Sequence, residues 1–153
     1  MIVEYSRIMS IKLHPDIASV RLTADDISSR VAELAQQLSR DYAGKDVVLI
    51  GVLTGSAIFI ADLVRAMSIP VSFDFLAVGS YGPDAKISGV VKILKDLDSP
   101  VESRHVVLVE DVLNPAMARR AEYLAEVMRA RRVASVRICT LLDKPDARAK
   151  AGV

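Results

Sequence analysis

The chain alternates between two hydrophobic patterns, one typical of amphipathic helices and one typical of buried strands. The first helical pattern begins where Thr23 is followed three residues later by Asp26, a spacing that predicts a capping-box start. Apolar residues then recur at helical spacing at Ile27, Val31, Leu34 and Leu38, and Gly44 follows the end. This region is therefore predicted to be an amphipathic helix.

Four runs rich in β-branched and aliphatic residues predict strands at 46–53, 71–78, 105–109 and 133–142, and a shorter apolar run lies at 90–94. A helix is predicted over 57–67. The apolar face of another comprises Met117, Ala121, Leu124, Ala125 and Met128. Strands that alternate with helices predict an α/β fold, with a mainly parallel sheet covered by helices on both faces.

Composition narrows the class of protein. A chain of 153 residues with 52% hydrophobic content is suited to a single domain with one core. Its 20 basic and 19 acidic residues create no general basic field, so a dedicated nucleic-acid binder is not expected. The only cysteine, Cys139, lies in an apolar run and is expected to be buried. With no targeting segment and no apolar run of about 18 residues, the expected location is the cytoplasm, without a membrane partner.

The most informative predicted loops leave the carboxyl ends of strands, where open parallel sheets bind their ligands. These loops follow Leu53, Val109 and Leu142. Glu110 and Asp111 come directly after Val109, and two carboxylates there could accept hydrogen bonds from a ribose diol or hold Mg²⁺. Taken alone, they are better explained as residues that cap the next helix or remain solvated.

Five blocks of sequence resemble the hypoxanthine/guanine phosphoribosyltransferase family in order and spacing. They are Leu49 to Gly55, Ser80-Tyr81-Gly82, Val91 to Asp98, Val106 to Asp111 and Thr140 to Pro145. His14-Pro15-Asp16-Ile17 and Asp41 to Lys45 look similar to its bacterial members as well, and the resemblance runs from about residue 11 to residue 148. It implies the type I phosphoribosyltransferase fold and the formation of a purine nucleotide and pyrophosphate from a purine base and phosphoribosyl pyrophosphate, with Mg²⁺.

The resemblance also implies a role for particular residues. Glu110 and Asp111 would face the ribose hydroxyls and the metal, and Thr54-Gly55 would belong to the pyrophosphate loop. Ser80-Tyr81 would form the tip of a mobile loop, and Lys144 would reach the exocyclic oxygen of the purine. Without the family context, Thr54-Gly55 and Ser80-Tyr81 could be ordinary turns and Lys144 a solvated lysine.

After Glu110-Asp111 and two apolar residues, the family pattern continues with aspartate, threonine or serine, glycine, a variable residue and threonine. This chain departs from that pattern. Those five positions are occupied by Asn114, Pro115, Ala116, Met117 and Ala118. An asparagine cannot serve as the family's general base, and proline removes an N–H from the loop expected to bind the 5′-phosphate. Thr54 also replaces the usual lysine. Weak or absent activity is therefore expected.

The ending of the sequence also differs from the family pattern. Relatives continue into a segment that supplies an aromatic to stack on the purine, whereas residues 147–153 contain no aromatic. The domain at 1–153 is thus expected to lack that purine-binding segment. Two classes stay open: a purine phosphoribosyltransferase of nucleotide salvage, and a non-catalytic nucleotide-binding, regulatory or subunit-partner relative. A homo-oligomer is the expected assembly.

Overall fold

The computed structural model describes residues 16–80 and 91–145. Eight helices and strands lie in these ranges. They are β1 (Val47–Leu53), β2 (Ser72–Ser80), β3 (Val91–Lys95), β4 (His105–Leu113), β5 (Ser135–Asp143), α1 (Ala24–Asp41), α2 (Ser56–Ala66) and α3 (Pro115–Ala130). His14, Pro15, Tyr81 and residues 146–153 lie outside the described residues.

The strands form one five-stranded sheet in the order β3-β2-β1-β4-β5. β1 runs parallel to both β2 and β4, and β4 runs parallel to β5. Only β3 is antiparallel, along β2. The predicted mainly parallel sheet is confirmed. Each of the four predicted strands starts within about two residues of the start of an observed strand.

Helices cover both faces of the sheet, as the alternation of strands and helices predicts. On one face Leu49 and Val107 pack with residues of α1 and α2, and on the other Ile50 and Leu108 pack with α3. Successive side chains of a strand point to opposite faces, so the central strands have to be apolar throughout. None of the helices in the described ranges is long and apolar enough to cross a membrane.

The first helix begins and ends as its sequence predicts. The Thr23 hydroxyl accepts a hydrogen bond from the Asp26 N–H at 3.1 Å, and the Asp26 carboxylate accepts one from the Thr23 N–H at 2.8 Å. This reciprocal pair is the capping box, with aspartate in place of glutamate. After the helix, Gly44 has a φ of +72°, a left-handed conformation that glycine adopts at little cost.

One predicted boundary is wrong in a way that affects the site. β4 does not end at Val109 but continues to Leu113, so Glu110 and Asp111 lie within a strand rather than in a loop. The reason is that β5 extends as far: Glu110 pairs with Thr140 and Leu113 with Asp143. Cys139, also in β5, is buried as predicted, and burial raises the pKa of its thiol to about 11.

Candidate active site

Three parallel strands end at the same edge of the sheet and bring most of the predicted site residues together. β1, β4 and β5 end at Leu53, Leu113 and Asp143. Directly after them come Thr54, Asn114 and Lys144, and the Lys144 N–H donates to the Leu113 carbonyl at 3.0 Å. Ser80, the last residue of β2, is at the carboxyl end of a strand parallel to β1. The side chain of Ser80 and all of Tyr81 lie outside the described residues.

The turn from β1 into α2 lies against the Asp111 carboxylate. Gly55 is the N-cap of α2 and supplies no side-chain cap, and the peptide bond between Leu53 and Thr54 is cis. A Cβ atom at Gly55 would lie 2.6 Å from Asp111 Oδ2, closer than non-bonded atoms can approach. A larger residue at 55 would therefore displace the Asp111 carboxylate, which lies beside the first turn of α2.

Glu110 points to the other face of the sheet, because consecutive residues of a strand alternate in direction. Only 1% of Glu110 is exposed, and Arg120 of α3 donates from Nη2 to its Oε1 at 3.1 Å and its Oε2 at 3.4 Å. Burial raises the pKa of Glu110, while Arg120 acts in the opposite direction without cancelling the effect. The predicted pair of adjacent carboxylates is thus divided between two faces.

Sequence reasoning missed Arg120. A signal for it existed in the helical spacing, since Arg120 follows Met117 by three residues and precedes Leu124 by four. That spacing places its stem on the buried face of α3. A long cation on the helix face that covers a strand containing a glutamate is the pattern that predicts an ion pair.

Asn114 caps α3 with its own side chain. Its Oδ1 accepts hydrogen bonds from the N–H groups of Ala116 and Met117, each at 3.0 Å. Pro115 has no N–H, and the Ala118 N–H donates to the Asn114 carbonyl at 2.8 Å. The N–H groups of Ala116, Met117 and Ala118 are therefore already paired inside the protein.

The geometry does not fit a Mg²⁺ ion held jointly by Glu110 and Asp111. Glu110 is buried and bound to Arg120, and Asp111 Oδ1 accepts from the Val112 N–H at 2.8 Å on the other face. Within 16–80 and 91–145 no group of three potential metal-ligating side chains occurs. Mg²⁺ normally takes several oxygen ligands in octahedral geometry, and two carboxylates on opposite faces of a strand cannot contribute to one such shell.

The phosphoribosyl transferase domain model matches residues 22–151. A hypoxanthine-guanine phosphoribosyltransferase from Mycobacterium tuberculosis is 46% identical over 143 residues, which cover 89% of this chain and 70% of that protein. The chain belongs to the hypoxanthine-guanine phosphoribosyltransferase family. That membership confirms the resemblance drawn from the five sequence blocks.

Solved structures of this family share the fold. A hypoxanthine phosphoribosyltransferase from Staphylococcus aureus superposes with a TM-score of 0.81 at 40% identity, covering 87% of this chain and 71% of that one. The Trypanosoma cruzi hypoxanthine phosphoribosyltransferase in complex with the product IMP also gives 0.81, at 35% identity over 90% of this chain and 76% of its own. The predicted type I phosphoribosyltransferase fold is confirmed.

Proposed function

We propose that this chain is a hypoxanthine/guanine phosphoribosyltransferase relative of purine salvage that binds purine nucleotides and transfers the phosphoribosyl group very slowly or not at all. Its membership of the family supports the substrate class, a purine base with phosphoribosyl pyrophosphate. The observation that carries the proposal of weak transfer is the Asn114 cap at the start of α3.

The amide of Asn114 removes the proton acceptor from the position that the family resemblance assigns to the general base. An amide is not basic near neutral pH, and Asn114 Oδ1 is already bonded to two backbone N–H groups. A purine nitrogen at this edge therefore finds no acceptor for its proton at residue 114. Catalysis by proton removal at that position is lost.

The same cap competes with a 5′-phosphate. The N–H groups of Ala116 and Met117 would have to leave Asn114 before they could bind an anion, and Pro115 offers none. Ala118 has no hydroxyl to add. Hydrogen bonds to a charged group contribute about 1.5–3 kcal/mol each, so the loss of two or three weakens binding by about two orders of magnitude or more.

The remaining family roles are proposals for this chain. Thr54-Gly55 would contact pyrophosphate with less positive charge than a lysine would bring, and Ser80-Tyr81 would close over the ligand. Lys144, exposed at the end of β5, would donate to the purine oxygen. A cytoplasmic location and a homo-oligomeric assembly complete the proposal.

Turnover measurements test it directly. Pyrophosphate release from phosphoribosyl pyrophosphate with hypoxanthine or guanine is expected to be very low beside an intact relative assayed in parallel. The substitutions Asn114→Asp, Pro115→Thr, Ala116→Gly and Ala118→Thr are expected to raise the rate when combined, whereas Asn114→Asp alone restores little because the phosphate donors stay depleted. Turnover by the unmodified chain comparable to that of the relative would overturn the proposal.

A second candidate is a non-catalytic nucleotide-binding, regulatory or subunit-partner protein. The observation that favours it is the Glu110–Arg120 ion pair, which leaves a family site residue bound to the protein itself. Calorimetric titration with GMP and IMP, combined with the turnover assay on the fourfold variant, separates the two candidates: nucleotide binding without turnover, even after the four substitutions, favours the second.

A further inference from the structure

The carboxylate of Glu110 is fully engaged within the protein. Both of its oxygens lie within hydrogen-bonding distance of Arg120 Nη2, and only 1% of the residue is exposed. A carboxylate that binds a ribose diol must offer free acceptor oxygens to the sugar. The contact with Arg120 and the burial of Glu110 together withhold these oxygens from a sugar hydroxyl.

Arg120 is held in place by the helix that carries it. Its Nη2 also contacts Met117 Sδ one turn earlier, and its neighbours Ala121 and Leu124 are buried against the sheet. Arg120 Nε is buried and has no hydrogen-bond partner among the residues that the structure describes. Among the described residues, Glu110 is the carboxylate that pairs with this guanidinium, and the side chain of Glu110 is 2% exposed against 22% for that of Arg120.

We propose that Arg120 is a specificity-determining residue that takes the place of the sugar hydroxyls at Glu110, so that Glu110 contributes nothing to the recognition of a ribose diol by this chain. The inference rests on the proposed function only in placing the nucleotide at this edge of the sheet. Arg120 acts by withdrawing Glu110 from the ligand and is not itself a catalytic residue.

The test compares GMP with its 2′,3′-dideoxy analogue by calorimetric titration. Four proteins are titrated: the unmodified chain, Arg120→Met, Glu110→Gln and the double variant. Methionine keeps the length of the side chain but cannot donate to Glu110, which frees its oxygens for the sugar. Circular dichroism and thermal unfolding check that each variant is folded.

Glu110→Gln is expected to leave the ratio of the two affinities within about twofold of its value in the unmodified chain. Arg120→Met is expected to raise the preference for GMP over the dideoxy analogue about tenfold, the effect of one hydrogen bond to a charged acceptor. The double variant should lose that preference, because it no longer has the carboxylate. A purely structural role for Arg120 would lower stability without creating a preference for the diol.

Two results would overturn the inference. One is a preference of the unmodified chain for GMP over the dideoxy analogue that Glu110→Gln abolishes. This comparison needs no Arg120 variant, so it holds even where Arg120→Met fails to fold. The other is a folded Arg120→Met protein whose preference for GMP is no greater than that of the unmodified chain. If the unmodified chain binds neither ligand, the proposed nucleotide binding fails. The role of Arg120 is then decided by Arg120→Met: binding of GMP but not of the dideoxy analogue supports the inference, and binding of neither overturns it.

Discussion

The two strand-to-helix turns at the site edge of the sheet are built in opposite ways. Between β1 and α2, Gly55 is the N-cap and brings no side chain to the helix start. Between β4 and α3, Asn114 bonds the N–H groups of the second and third helical residues. The first turn accommodates a neighbouring carboxylate, and the second is closed by its own amide.

The two turns differ in what each has to accommodate at the start of its helix. A helix start binds an anion through free N–H groups and the positive end of the helix dipole. At α3 these N–H groups already have a protein partner, which stabilises the helix without any ligand. At α2 the requirement is for space, since the Asp111 carboxylate lies where a side chain at residue 55 would be.

The largest expected effect comes from filling the space at the first turn. Gly55→Ala places a methyl group 2.6 Å from Asp111 Oδ2 and should lower the free energy of unfolding by about 1–3 kcal/mol, measured by chemical denaturation. Gly55 has a φ of −58°, so the loss arises from the collision and not from backbone strain. Adding Asp111→Ala should recover most of the loss, and strictly additive effects of the two changes would contradict this origin.

Removal of the cap at the second turn should have the next largest effect. Asn114→Ala should reduce the free energy of unfolding by about 1 kcal/mol, whereas Asn114→Asp should retain the cap and the stability. The matched control is Thr54→Ala in the exposed part of the first turn, where a change within about 0.5 kcal/mol is expected. Equal losses at the two turns would remove the distinction between them.

A smaller effect is expected from pH, because Arg120 offsets part of the burial penalty at Glu110. The pKa of folded Glu110 is raised above its ordinary value of 4.5, so the folded state holds this proton to a higher pH than the unfolded state does. Stability from protonated Glu110 is complete below about pH 4.5 and is lost as pH rises through the folded pKa.

Thermal unfolding of the unmodified chain and of Glu110→Gln across this range measures the effect. The unmodified chain should lose stability relative to Glu110→Gln as pH rises. A difference that grows in favour of the unmodified chain would show that the Arg120 ion pair outweighs burial.

The smallest expected effect is that of Mg²⁺ without nucleotide. Because Glu110 and Asp111 lie on opposite faces of β4, millimolar Mg²⁺ should leave the thermal midpoint unchanged relative to EDTA. A Mg²⁺-dependent increase that Asp111→Ala and Glu110→Gln each abolish would show that the two carboxylates share an ion after all.

Much of the fold could be predicted from local patterns in the sequence. The capping box at Thr23, the continuous apolar run of β1 and the apolar face of α3 each depend on spacing within one element, and each is confirmed. The antiparallel direction of β3 was not predicted, because pairing direction depends on where the chain returns to the sheet rather than on the apolar run itself.

The candidate site could be predicted only in part. Asn114 as a departure from the family pattern was visible in the sequence, and so were the residues that follow β1 and β5. That Asn114 closes the start of α3 follows from its extended φ and ψ of −112° and 176°, a conformation that only the folded turn specifies.

Periodicity and motif spacing are local properties of the chain, and they are enough to predict the α/β class, the family and the residue types at the edge of the sheet. The separation of Glu110 and Asp111 is visible only in the folded structure. The pairing of β4 with β5 to its last residue keeps both in a strand, alternation sends them to opposite faces, and α3 then brings Arg120 to one while α2 brings Gly55 to the other.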